Sequence, residues 1–282
     1  MMNYMLFPNG KQKALTLSYD DGVQQDIRLI EILDKYGIKC TFNVNGSAFE
    51  DEERSYPEGQ VHRRMARREA FETYSKAIEN GHEIATHAYT HPFLEKLPPE
   101  MVSYEIVEDR KTLEEMFGKI IKGHAYPFGT TSDKVVEVLR NCGILYARTT
   151  VSTKTFDIPT NWLRLPATCH HNAPELMQLA DKFLNEPFRY PQPRLFYLWG
   201  HTYEFESNNN WEVIEKFAEY IGNRDDVWYA NNMQVYEYIE AYRALVFSAN
   251  GNTVYNPTAL TVWFTTGGIN VKVEPGETVK IR

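Results

Sequence analysis

Two carboxylates stand side by side in Ser18-Tyr19-Asp20-Asp21-Gly22, directly after an apolar run over residues 13–18. Adjacent carboxylates repel. Once a fold takes them out of water, one must gain a proton unless a cation or a hydrogen-bond donor compensates. Asp-Asp-Gly is also a good turn sequence, so a solvated turn is the plain alternative. In extended backbone neighbouring side chains point to opposite sides, which lets the two carboxylates hold different roles. His87 and His91 are four residues apart. On a helical turn that spacing puts both imidazoles on one face, within reach of one metal ion; the alternative is one packed and one exposed histidine. Two imidazoles and one carboxylate leave coordination positions open, as catalytic metal sites do. His201 follows the apolar run 195–199 through Gly200. Its ring can protonate a leaving group near neutral pH, or it can be a satisfied histidine at the rim of a core. His170-His171 could line the same pocket, bind substrate or face solvent. His62 lies in the basic run His62-Arg63-Arg64-Met65-Ala66-Arg67-Arg68-Glu69, which reads as the solvated face of a helix.

The elements that must position these residues alternate in type. Runs at 13–18, 39–44, 82–86, 124–128, 144–148, 163–167, 195–199 and 227–230 are short, apolar and rich in β-branched or aromatic residues, so strands are expected there. Between them apolar residues recur at helical spacing over 24–36, 61–79, 98–117, 133–141, 174–184, 211–221 and 234–244, with Gly37, Gly118 and Gly143 closing three of these helices. So many consecutive strand–helix units predict an α/β fold, a distorted (β/α) barrel of seven or eight parallel strands. Active residues of such a barrel belong at the C-terminal ends of its strands. Asp20-Asp21, His87 to His91, Ala125 to Gly129 and His201 all meet that rule, whereas His82 and His124 open strands at the opposite end. After about residue 245 the pattern changes to short β-type runs at 246–249, 253–255, 260–264, 270–273 and 278–281, separated by Asn250-Gly251, Gly267-Gly268 and Pro275-Gly276. The chain therefore divides into a barrel domain, 1–245, and a small antiparallel β extension, 246–282.

Composition narrows the function classes. A hydrophobic fraction of 43% against 24% charged excludes a disordered or fibrous chain. The 38 acidic and 30 basic residues leave a net charge of −8, a poor match for nucleic acid or an anionic membrane surface. No run of about 18 apolar residues occurs, so no membrane-spanning helix is expected. Cys40, Cys142 and Cys169 are widely spaced and include no Cys-x-x-Cys, which argues against a disulfide framework and a cysteine zinc site. The N-terminal residues have neither a basic region nor a cleavage signal, so a cytoplasmic location is expected; a chain trimmed of its export signal would read the same.

Taken together, these residues resemble the polysaccharide deacetylases of the NodB-homology family, carbohydrate esterase family four, over roughly residues 11–244. Ser18-Tyr19-Asp20-Asp21-Gly22 is similar to the family's Thr-Phe-Asp-Asp-Gly motif, and His87 with His91 to its His-Ser/Thr-x-x-His motif. Leu198-Trp199-Gly200-His201 is similar to the closing Leu-x-His motif, and Ala125-Tyr126-Pro127-Phe128-Gly129 to Arg-x-Pro-Tyr. The resemblance implies that Asp20 is the general base and His201 the general acid. It implies that Asp21, His87 and His91 hold a divalent metal, zinc first, with cobalt or nickel as alternatives. It places Tyr126, Pro127 and Phe128 at the substrate. Ala125 departs from the motif, because the family has there an arginine that orients the base; Arg164 is the expected replacement. The family's Asp-x-x-Asp-Trp motif has its nearest counterpart in Asp157-Ile158-Pro159-Thr160-Asn161-Trp162, at altered spacing. Trp162 is then expected to wall the pocket, and Arg164, His170 and His171 complete the expected substrate contacts. The implied reaction removes acetyl groups from an N-acetylated sugar or polysaccharide. Two other readings stay open: a related amidohydrolase acting on a small amide, with or without metal, and a non-catalytic carbohydrate-binding barrel.

Overall fold

The structure, a computed structural model, describes residues 3–51, 55–187 and 190–281. Its strands are β1 (Asn3–Leu6), β2 (Lys13–Asp20), β3 (Cys40–Val44), β4 (Glu83–Thr86), β5 (Gly123–Ala125), β6 (Tyr146–Ser152), β7 (Leu165–Ala167), β8 (Cys169–His170), β9 (Arg194–His201), β10 (Val227–Tyr229) and, in the C-terminal region, β11 (Val246–Phe247), β12 (Thr253–Tyr255), β13 (Val262–Thr266), β14 (Ile269–Val273) and β15 (Thr278–Lys280). The helices are α1 (Asp26–Lys35), α2 (Arg67–Glu79), α3 (Pro99–Phe117), α4 (Asp133–Asn141), α5 (Leu176–Asn185), α6 (Tyr203–Ser207), α7 (Glu212–Ile221) and α8 (Asn232–Arg243).

The main sheet runs β7-β6-β5-β4-β3-β2-β9-β8, all parallel, with β10 beside β2. The expected distorted barrel is therefore present. Its seam is closed by a single stretch of chain: β7 pairs with β6, and β8, two residues on, pairs with β9. Strand β2 is buried along its whole length because it has neighbours on both edges. β3 takes only its C-terminal half, Leu17 to Asp20, and β10 takes Lys13 to Leu15. Leu15, Leu17 and Tyr19 pack outward into the largest core cluster, together with Leu29 and Leu33 of α1 and Phe217 of α7. The alternate residues turn inward to polar partners: Thr16 Oγ1 donates to Asn232 Oδ1 at 2.8 Å, and Asn43 Nδ2 donates to Ser18 Oγ at 2.7 Å. A buried interior of this kind is tolerated only when its polar groups are paired.

The helix expected over 61–79 begins only at Arg67. Residues 61–66 instead run extended along the top of the barrel, bridged antiparallel at Val23 and Arg64, with Gln24 N–H donating to Arg63 O at 2.8 Å. The extension draws on both ends of the chain. β1 pairs antiparallel with β13, which pairs with β14, while β11, β12 and β15 form a second small sheet. Val254, Val262, Phe264 and Val273 give it a core of its own, packed on Ala241 within the end of α8 and on Leu245 just after it.

Candidate active site

The C-terminal ends of β2, β4, β5, β6 and β9 converge on one cavity of about 300 Å³. Asp20, Asp21, His87, His91, Tyr126, Phe128 and His201 all line it, joined by Gly129, Thr150, Trp199 and Tyr203. The loops that present these groups leave ordinary backbone space. Asp21, Ala88, His91 and Phe128 have φ of 86°, 60°, 59° and 58°, left-handed values that non-glycine residues rarely adopt and that persist only where surroundings enforce them. The enforcement is visible. Asn45 Nδ2 donates to the carbonyls of His87 and Ala88, both at 2.6 Å. Asp109 of α3 accepts from Gly46 N–H at 2.6 Å and His87 N–H at 2.9 Å, and burial pushes its carboxyl up to about 8. Glu105, one turn earlier, accepts from both the N–H and the hydroxyl of Thr90 at 2.7 Å.

Asp21, His87 and His91 form the metal-competent cluster. Their nearest ligand atoms lie within 4.8 Å of one another; His87 Nε2 is 3.8 Å and His91 Nε2 3.7 Å from Asp21 Oδ1. His87 Nδ1 sits 2.8 Å from the Ala125 carbonyl. A carbonyl only accepts, so Nδ1 carries the proton and the Nε2 lone pair faces the cavity, the tautomer a ligating histidine needs. Burial lowers His87 to about 4 and lowers His91 as well, so both rings are neutral near pH 7. Burial alone would raise Asp21, yet the hydrogen bond from His62, the charge of His87 once acid protonates it, and the charge of Arg64 hold it well below the usual carboxylate range. Two neutral imidazoles and one carboxylate fit a divalent cation such as zinc.

Asp20 faces a different set of partners. Arg148, fully buried on β6, forms an ion pair with its Oδ2, and Asn43 Nδ2 donates to Oδ1 at 2.8 Å. The guanidinium also lies over the Trp199 ring, 4.6 Å from its centroid. Burial raises the Asp20 carboxyl, but Arg148, with His87 and His201, lowers it overall, so Asp20 stays ionised. His201 Nε2 is 3.8 Å from Asp20 Oδ2, across the cavity from the metal-competent cluster. Its other nitrogen is 3.0 Å from Glu204 Oε1. Burial would lower the His201 ring; the Glu204 hydrogen bond and the charges of Asp20 and Asp21 raise it instead.

Comparison with known proteins agrees with this geometry. The polysaccharide deacetylase family model matches residues 8–147. That stretch, just under half of the chain, belongs to the polysaccharide deacetylase family. A chitooligosaccharide deacetylase from Azorhizobium caulinodans is 23% identical over 152 residues, covering 52% of this chain and 63% of that protein. This chain matches less than two thirds of the length of such curated relatives. Among solved structures, a Mycobacterium smegmatis protein assigned as a polysaccharide deacetylase superposes with a TM-score of 0.61 at 18% identity, over 85% of this chain and 94% of that one. Peptidoglycan deacetylase PdaC from Bacillus subtilis superposes with a TM-score of 0.51 at 19% identity, over 85% and 96%. At these identities the superpositions establish the shared fold.

Several expectations about this chain need correction. Arg164 does not replace the missing motif arginine: it reaches Asp133, at the start of α4, at 2.6 Å. Arg148 stands at Asp20 instead. Trp162 does not wall the pocket either. Its indole N–H donates to Glu240 of α8 at 2.7 Å, and its ring meets Tyr236 edge-on; the tryptophan at the cavity is Trp199. Pro127 is buried within the turn below Phe128 rather than at the cavity surface, and the Tyr126 hydroxyl is committed to Leu163 O at 2.7 Å. Phe128 is half exposed, stacked on Phe93 at 3.8 Å and edge-on to His91 at 4.6 Å, and so forms an aromatic rim. His170 and His171 lie behind Trp199 and His201, outside the cavity lining, and both approach Glu204. His62 is not on a solvated helix: its Nε2 is 3.3 Å from Asp21 Oδ2, and Arg64 approaches Asp21 Oδ1 at 3.7 Å.

Arg148, Glu204, His62, Arg64, Trp199 and Tyr203 were absent from the sequence reading of the site. Arg148 had a usable signal, since it ends the run 144–148 and strand ends carry the active residues. Glu204 had none, because nothing in its spacing from His201 distinguishes it from a surface glutamate on a helix.

Proposed function

We propose that this protein is a metal-dependent hydrolase that removes acetyl groups from N-acetylated sugars. The observation that carries the reading is the separation of ionisation states within one cavity: neutral His87 and His91 beside anionic Asp21, and anionic Asp20 facing a His201 ring raised toward its cationic form. Groups pushed apart in this way mark acid and base assignments.

Asp21, His87 and His91 would hold the divalent ion, which when bound supplies an acidified water and a Lewis acid for the acetyl carbonyl. Asp20 accepts the proton of the attacking water, and Arg148 with Asn43 keeps its carboxylate ionised and aimed. The backbone N–H of Phe128, carried on a left-handed turn, is the assigned donor to the developing oxyanion. His201 delivers a proton from Nε2 to the departing nitrogen. Acetate and a free amino sugar leave. Phe128 and Phe93 offer an apolar face of the kind on which sugar rings stack.

A small substrate is favoured by one further observation. The segment 61–64 is fastened over one side of the site: Arg63 makes paired contacts with Glu206 of α6 at 2.7 and 2.9 Å, and His62 meets the Tyr203 ring edge-on at 4.8 Å. The cavity is also at the low end of the volumes that hold drug-sized ligands.

The test is acetate release from N-acetylated sugars running from monomer to polymer, with and without complete chelation. Release that depends on added metal supports the reading. Turnover that survives metal removal overturns the metal mechanism, and a preference for monomer over oligomer supports the small-substrate version.

A further inference from the structure

The pair His170-His171 found no place in the chemistry above, yet it is built into the site from behind. His171 is 1% exposed, stacks on Phe205 at 4.1 Å and on Tyr19 at 5.6 Å, and its Nε2 lies 2.9 Å from Glu204 Oε2. A Cβ at residue 200 would run into the His171 ring, so Gly200 is what lets β9 pass this close. His170 Nε2 is 3.3 Å and Asn172 Nδ2 2.9 Å from the same Glu204 oxygen. The other oxygen, Oε1, meets His201 Nδ1 at 3.0 Å.

His170, His171 and Glu204 converge within 4.8 Å and could be mistaken for a second metal centre. The tautomer of His170 speaks against it. Asn172 N–H donates to His170 Nδ1 at 3.1 Å. A backbone N–H only donates, so Nδ1 is the acceptor and the proton of the neutral ring is on Nε2, pointing at Glu204. That nitrogen has no lone pair to offer a cation. Asn172 Nδ2 donates to this carboxylate while the His170 and His171 rings crowd the same oxygen, and a carboxylate so surrounded stays ionised.

We propose that Glu204 is the positioning residue for His201: bonded by Asn172 and packed between His170 and His171, its carboxylate holds the proton on His201 Nδ1 and turns Nε2 toward the cavity and Asp20. The assignment rests on the reading of His201 as the proton donor. In that step the C–N bond breaks, its electron pair stays on nitrogen, and the proton leaves Nε2 for that nitrogen. The cationic ring carries a proton on each nitrogen; Glu204 holds the one on Nδ1, so the one on Nε2 is delivered, and a ring rotated away from the leaving group delivers none.

The test compares two leaving groups on the metal-loaded full chain. An N-acetylated chito-oligosaccharide expels an amine and needs the proton; 4-nitrophenyl acetate expels a stabilised phenolate and does not. Glu204→Gln is expected to lower kcat on the amide about 100-fold, with KM and bound metal held, while the ester loses far less, and Glu204→Asp is expected to recover part of the amide rate. Equal losses on both substrates, or an undiminished amide rate, overturn the proposal. A second measurement needs no variant of Glu204. In ¹⁵N-edited spectra of the native protein at alkaline pH, with the His201 signals assigned by difference against His201→Gln, the neutral ring is expected to carry its proton on Nδ1; a proton on Nε2 overturns the proposal. Absence of amide turnover by the native protein would count against the deacetylase reading, and the tautomer would still decide the role of Glu204.

Discussion

Ala125 and Arg148 are direct partners across the β5–β6 ladder. The position where the family's third motif carries arginine is empty of charge in this chain, and the guanidinium arrives from the facing residue on the next strand. It reaches the same carboxylate, Asp20. Neighbouring parallel strands are about 4.8 Å apart, a gap that the long arginine side chain spans, so the function of a motif residue can cross to the adjacent strand without moving the base.

Arg148→Ala should leave a buried carboxylate without its cation. Removing one partner of a buried pair costs about 3–5 kcal/mol, and the pose of Asp20 is lost with it. Denaturant unfolding and turnover are expected to fall together, turnover by about 100-fold, with bound metal retained. Ala125→Arg combined with Arg148→Ala should recover much of the loss, because the guanidinium then returns to Asp20 from the family's own position. No recovery in the double variant, with the fold intact, would contradict the equivalence of the two positions.

Asp21→Ala, His87→Ala and His91→Ala should each remove bound metal and activity together, read by elemental analysis and acetate release. Asp20→Asn should separate the two, keeping metal while losing most turnover. Loss of metal in Asp20→Asn would mean that both carboxylates belong to the ion.

The buried imidazole of His87 makes metal-free stability depend on pH. Its ring is lowered from the ordinary 6.5 to about 4 in the folded state by burial, so between those values the unfolded chain binds the proton more readily. Stability from this group is therefore complete above about 6.5 and is lost as pH falls toward 4. In chelator, the native protein is expected to lose about 2 kcal/mol more than His87→Gln between pH 7 and pH 5. A pH dependence identical in the two proteins would show that the ring is not buried neutral.

Phe128 holds a left-handed backbone at φ 58° with a half-exposed ring. Phe128→Gly should relieve about 1 kcal/mol of strain, partly offset by the lost stacking on Phe93. Its backbone N–H is kept. The expected outcome is near-unchanged thermal stability and kcat, with a raised KM for acetylated sugars. A lost kcat at unchanged KM would place the ring at the reacting atoms instead of the rim.

How much of this was legible in the chain depends on the distance over which each feature is decided. Strand–helix alternation is local, and it yielded the barrel and the rule that its C-terminal strand ends carry the chemistry. Asp20, Asp21, His87, His91 and His201 followed, since each sits at a strand exit that apolar patterning alone locates. The lateral neighbours of those residues were not available locally. Arg148 meets Asp20 across 128 positions of sequence, and His62 meets Asp21 across 41. Arg164 and Trp162 were misplaced because order along the chain does not say which side of a strand, or which neighbouring helix, a long side chain will find. Residues 61–66 looked helical by composition, yet bridging to Val23 and the charge of Asp21 drew them across the barrel mouth. Periodicity and strand ends are local, and they alone place these groups at the mouth of the barrel. What each group touches, and therefore its charge, comes from the folded chain, because burial and the partner across the cavity set the protonation of a carboxylate or an imidazole.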